Sequence, residues 1–261
     1  MCSVVILRRP GHPWPLLLAA NRDEMKDRPW QSPARHWPAQ PQIIGGKDDL
    51  AGGAWIGLND LGVTAGVLNR VNSLGPRPGK RSRGELVLEA LTQPTASAGA
   101  TRISLLDATA FRSFNLVVAD RKDAYWLRNA GDEDGQNTGR ARIEIFELQP
   151  GLSMITARDR NDPASARTRT NLPLFEAAKA PDPATGQWRS WQKLLGSRRH
   201  EPEDGPEAAM TIVTDYGFET VSSSLIGLPG LPQSARGRPA KPVWLFADGR
   251  PDKAPYKPVD L

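Results

Sequence analysis

The chain has 261 residues, 39% of them hydrophobic and 24% charged, with a formal net charge of +5; this is the profile of a globular protein with a sizeable core. No apolar run approaches the roughly 18 residues needed to cross a membrane, and "SVVIL" is too short for the core of a signal peptide, so a cytoplasmic protein without a transmembrane segment is expected. A single cysteine excludes an internal disulfide and a multi-cysteine metal site, and arginines scattered among aspartates in no recognisable motif argue against a nucleic-acid partner.

In chain order, "SVVILRR" and "PLLLAAN" read as two strands joined by the turn-rich "PGHPWP", an N-terminal hairpin. A proline-rich loop follows from Pro29 to Pro41. "AWIGLNDLGVTAGVLNR" gives two further strands around Asn59-Asp60-Leu61-Gly62, a strong hairpin turn. "GELVLEALTQ" has helical period, with Leu86, Leu88 and Leu91 on one face and Pro94 beyond its end. "FNLVVADRKDAYWLRN" is another hairpin, turning at Asp120 to Asp123, and "IEIFELQPGLSMIT" continues the strand pattern. "TNLPLFEAAKA" and "TGQWRSWQKLLG" read as helices, the second with Trp188, Trp191, Leu194 and Leu195 in an amphipathic stripe. "TIVTDYGFETVSSSLIGLP" and "KPVWLFADGRP" are strand-like, separated by a loop from Pro229 to Pro242 that is too short to divide domains. Hairpins enclosing a few helices predict one α+β domain over residues 1–261, built on antiparallel sheets.

The chemistry begins at Cys2. Removal of the initiator methionine exposes an N-terminal cysteine whose own α-amine, with an ordinary pKa of about 7.7–8.0, is placed to deprotonate the thiol for attack on a carbonyl. Position alone favours the plainer reading, a small residue packed at the start of a strand. The stretch "LLLAANRDE" shifts the balance. If the first two strands pair across their turn, Cys2 falls beside Asn21, Arg22 and Asp23, where a guanidinium favours the thiolate and a carboxylate holds the ammonium or the arginine. A plain surface ion pair of Arg22 with Asp23 is the competing reading. Asn69 ends its strand in the same relation to the second hairpin. It is a candidate oxyanion donor, a role in which a lost donor costs about 2.7–4 kcal/mol, or else a turn cap. Asn115 is a weaker candidate. The basic loop after Asn69, with Arg70, Arg77, Lys80 and Arg81, either borders a cleft and attracts an anionic substrate or serves solubility. The arginines between Arg158 and Arg169, and Arg198-Arg199-His200, read as solvated loops.

Met1-Cys2, "LAANRDE", "GGAWIGLNDLG", "LNR", "RGELV", "FNLVVAD" and "YGFETVSSSLI", in this order, resemble the NRDE family, also called the Transport and Golgi organisation protein 2 family. That family is similar in turn to the cysteine N-terminal-nucleophile hydrolases. The resemblance implies a four-layer αββα sandwich of two antiparallel sheets, with Cys2 as nucleophile, Arg22 and Asp23 as its supporting pair and Asn69 as oxyanion donor. Asn21, Arg70, Arg81 and Asn115 are then expected to bind substrate. The chain departs from the pattern in "YGFETVSSS", where Phe218 or Glu219 replaces an expected arginine, and in the arginine-rich "MITARDRNDPASARTRTNLPLF".

Two functions are carried forward. One is an amidohydrolase needing no cofactor, forming an acyl-enzyme on Cys2 with a small linear amide. The other is a carrier of haem or of an acyl or lipid ligand in the same cleft, with His12, His36 or His200 as candidate axial ligands. An inactive scaffold with the hydrolase fold is a third, weaker reading. The oligomeric state is not legible.

Overall fold

The computed structural model describes residues 2–131, 142–231 and 240–261. In chain order its strands are β1 Ser3–Arg8, β2 Leu16–Met25, β3 Trp30–Ala34, β4 Ile43–Asp48, β5 Ala54–Asn59, β6 Thr64–Asn69, β7 Phe114–Ala119, β8 Ala124–Asn129, β9 Glu144–Glu147, β10 Gly151–Ile155, β11 Phe218–Leu228, β12 Val243–Asp248 and β13 Tyr256–Pro258. The helices are α1 Gly84–Leu91, α2 Ala96–Ser104, α3 Ala166–Ala177 and α4 Arg189–Leu195. Two compact units share them: residues 29–149 with 156–159 in one, residues 2–28, 150–155 and 160–261 in the other. Each holds one antiparallel sheet and two helices, so the α+β class expected from the hairpins is what the chain adopts.

In the unit that contains Cys2, the sheet has six strands in the order β10-β1-β2-β11-β12-β13. The β1–β2 hairpin closes through Pro10-Gly11, where Gly11 takes a φ of +81°, a conformation that costs glycine little. Val5, Ala19 and Leu225 occupy one row across the sheet and join a core with Phe175 of α3 and Trp191 and Leu195 of α4. Phe175 and Trp191 meet edge to face, with centroids 5.6 Å apart. The expected tryptophan stripe is therefore real: Trp188, Trp191 and Leu195 are fully buried. Side chains of this size contribute about 1.5–3 kcal/mol each when they leave water.

The other sheet is a seven-stranded meander, β3-β4-β5-β6-β7-β8-β9, each strand pairing with the next in sequence. One face buries Ala54, Ala65, Leu116, Val118 and Leu127 against Leu86, Val87, Ala90 and Leu91 of α1 and Ala100 and Ile103 of α2. Asn59 organises the β5–β6 turn. Its Oδ1 accepts from the N–H groups of Leu61 (3.0 Å) and Val63 (2.9 Å), and its Nδ2 donates to the carbonyls of Leu91 and Gln93, each at 2.9 Å.

Two expectations need correction. The loop from Pro29 to Pro41 contains β3, an edge strand; Pro33 is tolerated there because the pairing with β4 slips between Gln31 and Ala34 and an edge strand can lack a donor. The helix expected from Thr170 begins earlier, at Ala166, because Ser165 caps it by accepting from the Thr168 N–H. The strand pattern of "IEIFELQPGLSMIT" is present, shared between two sheets, with β9 ending one and β10 the other. Residues 232–239 of the Pro229–Pro242 loop lie outside the described residues.

Candidate active site

The register of the first hairpin pairs Ser3 with Asn21, and continuing it by one residue sets Cys2 opposite Arg22. On its other side β2 pairs with β11: Arg22 lies opposite Ser222 and Asp23 opposite Thr220, with a bulge between Thr220 and Ser222. β2 is thus an interior strand at this point, and Asn21, Arg22 and Asp23 are all buried. Only Glu24 reaches the surface region, 3.7 Å from Arg28. Three buried polar side chains in succession need partners, and alternation along the strand sends them to both faces.

Asn21 and Asp23 face the helices. The Asn21 amide donates to the carbonyls of Leu195 (3.0 Å) and Met210 (2.8 Å), tying β2 to the end of α4. The Asp23 carboxylate accepts from Arg167 of α3 at 2.7 Å and from the Thr220 hydroxyl at 2.6 Å. Arg167 also donates to the Glu207 carbonyl at 2.8 Å, and the Thr220 hydroxyl accepts from the Ile212 N–H at 2.9 Å. The side chains of Arg167 and Asp23 are 4% and 0% exposed, so Arg167 is a buried partner, which corrects the reading of its stretch as solvated loop.

Cys2 is half-buried and its thiol is free. Burial pushes the thiol above its ordinary value of 9.0; the Asp23 carboxylate adds to the rise, while the Asp23 backbone N–H, which bonds the sulfur, and the Arg22 guanidinium pull it down. The expected depression by Arg22 is present, but desolvation outweighs it. Met1 lies outside the described residues.

Asn69 ends β6, opposite Phe114, in the other unit, and is half-exposed. Arg70 is buried, donating to Asn115 Oδ1 at 2.9 Å and to Asp159 at 2.8 Å. Asn115 has its whole amide engaged: Oδ1 also accepts from Trp126 Nε1 at 3.1 Å, and Nδ2 donates to the carbonyls of Thr156 (2.9 Å) and Arg158 (2.7 Å). Asp159 further bonds Arg128, which is paired to Glu144 at 2.6 Å. Arg81 is exposed, paired with Glu85 at 2.8 Å and stacked over Phe111 at 4.9 Å. The basic loop is pinned from within by two arginines. Arg83 donates to the carbonyls of Ser73, Ser113 and Gly75, and Arg112 to those of Asn72, Leu74 and Gly75.

Of the predicted residues, the structure gathers Cys2, Asn21, Arg22 and Asp23 on one hairpin, and Arg70 with Asn115 in one network. Sequence reasoning missed Arg167, Thr220 and Asp159. The available signal was chemical: an aspartate read as part of a buried strand demands a cation and a donor from elsewhere in the chain. Each histidine holds a loop. The Trp14 N–H donates to His12 Nδ1 (2.9 Å), His36 Nε2 meets the Ser32 carbonyl (2.8 Å), and His200 Nδ1 meets that of Glu201 (2.9 Å).

Against solved structures, the chain is similar to a Caenorhabditis elegans N-acylethanolamine-hydrolysing acid amidase ortholog. The TM-score is 0.53 at 15% identity, covering 90% of this chain and 95% of that one, and the likeness shows an N-terminal-nucleophile-hydrolase-like fold. By sequence, it is 36% identical over 141 residues to the mouse Transport and Golgi organization 2 homolog, covering 52% of this chain and 48% of that protein. It is 34% identical over 110 residues to the bovine homolog, covering 40% and 38%. The chain therefore spans about half the length, or less, of these curated relatives. The family profile Transport and Golgi organisation 2 matches residues 1–163, a stretch that carries the hairpin, Cys2 and the buried NRD triplet, and the chain belongs to that family.

Proposed function

We propose that this protein is a cysteine amidohydrolase of the N-terminal-nucleophile type, working in the cytoplasm on a small linear amide. The observation that carries the reading is the placing of Cys2 at the head of β1, opposite Arg22, with the Asp23 N–H on its sulfur. Loss of Met1 gives Cys2 an α-amine that takes the thiol proton. The thiolate then attacks the amide carbonyl, forming the S–C bond and an oxyanion that hydrogen-bond donors hold. Collapse breaks the C–N bond, with the proton returned to the leaving nitrogen by the α-ammonium, and water hydrolyses the thioester. Arg22 favours the thiolate, and Asp23, fixed by Arg167 and Thr220, orients the ammonium. Asn21, whose Nδ2 is committed to the Leu195 and Met210 carbonyls, acts as framework beside the reacting group.

Intact mass of the purified protein, followed by a panel of 4-nitroanilides and N-acylethanolamines with Cys2→Ala as control, tests this. Loss of one methionine with Cys2-dependent release of amine supports it; a retained Met1 with no turnover sinks it. The second reading, a carrier for haem or an acyl ligand, is favoured by the raised thiol, because a neutral thiol is a poor nucleophile. It predicts saturable haem or acyl-CoA binding, with no amine released.

A further inference from the structure

Three consecutive serines in β11 meet different fates. Ser223, on the helix face, contacts the Ala20 carbonyl at 3.1 Å and Tyr256 Oη at 2.7 Å. Ser224, on the opposite face, accepts from Trp244 Nε1 at 3.2 Å. Ser222 is 1% exposed, and its Oγ has no hydrogen-bond partner among the described residues. A buried hydroxyl left unsatisfied costs stability that alanine would not, so this position needs a chemical reason.

Its place in the sheet supplies one. Ser222 is the register partner of Arg22 on one side and of Asp248 on the other, so it shares a face with Arg22. The next rows on that face are almost wholly apolar: Val4, Ala20, Ser224 and Phe246, then Ile6, Leu18, Ile226 and Trp244. The polar row at the end of this face runs from Cys2 through Arg22 and Ser222 to the exposed Asp248.

We propose that Ser222 is a substrate-binding residue of the Cys2 site, donating a hydrogen bond to an oxygen that the ligand carries beyond its reacting carbon. The inference rests on Cys2 as the reacting group. Two strand spacings, about 10 Å, separate Cys2 from Ser222. A ligand joined to the sulfur therefore meets the hydroxyl with an acceptor roughly five or six bonds away. The substrate class is an amide whose acyl group bears a hydroxyl, ether or keto oxygen three or four carbons past the scissile carbonyl.

An isosteric pair of alkylating probes tests this without requiring amide cleavage: N-(2-methoxyethyl)iodoacetamide and N-butyliodoacetamide, which differ by one oxygen for one methylene. In each reaction the Cys2 sulfur displaces iodide, forming one S–C bond, with the thiol proton lost to buffer. The ratio of the two labelling rates, read by intact mass, is expected to be about fivefold in favour of the ether, the size of one neutral hydrogen bond. Ser222→Ala brings the ratio to about one, and Ser222→Thr keeps it, with thermal unfolding checked for each. A ratio near one in the unsubstituted protein, or a ratio that survives Ser222→Ala, overturns the proposal and leaves an internal water as the partner of Ser222. Native protein in which neither reagent reaches Cys2, while unfolded protein labels fully, also overturns it. Oxygen-selective labelling in a protein that cleaves no amide would sink the hydrolase reading, and the amide substrate class with it, and keep Ser222 as a ligand-binding residue of the Cys2 site.

Discussion

At the scale of single residues, the decisive contact is the one between Asp23 and Arg167, both buried. Removing one member of a buried ion pair strands the other, at a cost of about 3–5 kcal/mol. Arg167→Met is therefore expected to lower the urea midpoint sharply. It also leaves the Asp23 charge unneutralised beside the sulfur, which already feels that carboxylate, so the pH profile of Cys2 alkylation moves to higher pH. The double variant Asp23→Asn/Arg167→Met should bring the profile back; a profile that Arg167→Met leaves in place would separate Asp23 from the thiol. Cys2 itself makes a prediction about stability. Its folded thiol lies above the ordinary 9.0, so folding favours the protonated form. That contribution is present in full below the unfolded value and is lost as pH rises through the folded one. As pH rises past the thiol's ordinary value of 9.0, the protein should lose stability that Cys2→Ala does not lose, as read from paired urea titrations.

At the scale of elements, side-chain amides close the turns and tie the helices down. Asn59 serves two backbone donors in its own hairpin and two carbonyls, one at the end of α1 and one just past it. Asn59→Ala leaves several of these groups unpaired and should cost about 2–4 kcal/mol, measured by denaturant unfolding. Asn59→Asp should recover the turn but not the contacts to the Leu91 and Gln93 carbonyls. A second element-level contact is the approach of Gly53 to Gly84: a Cβ at residue 53 would stand 2.6 Å from the Gly84 carbonyl carbon. Gly53→Val should therefore push the start of α1 away from the strand and lower the melting temperature.

At the scale of the whole molecule, the two units interleave along the chain. The chain leaves one unit at residue 149, returns to it for 156–159 and leaves again. Those four residues supply the Thr156 and Arg158 carbonyls to Asn115 and the Asp159 carboxylate to Arg70 and Arg128. A fragment of residues 29–149 would bury Arg70 and Asn115 without these partners. It is expected to lack a cooperative unfolding transition, and one that melts cooperatively would show the network to be dispensable. Among the described residues, no helix is long and apolar enough to cross a membrane.

Local chemistry was enough to read the hairpins, the α1 period and the Trp188–Leu195 stripe, because turn residues and side-chain periodicity act over a few positions. It also placed Cys2 beside the NRD triplet, since a hairpin register follows from its turn. The sequence did not reveal which partners satisfy that triplet. Asp23 and Arg167 stand 144 positions apart, and Asn21 reaches carbonyls 174 and 189 positions away. No periodicity encodes such pairings; they arise because a buried polar group must be satisfied and packing decides what lies within reach. The same holds for β3, where a proline-rich stretch became a strand because an edge was available to it. The amino-acid sequence by itself thus determined the neighbours of Cys2 in its own hairpin. Tertiary structure alone decided how the carboxylate is neutralised, how far burial raises the thiol, and that Ser222 is held beside Arg22 with its hydroxyl unspent.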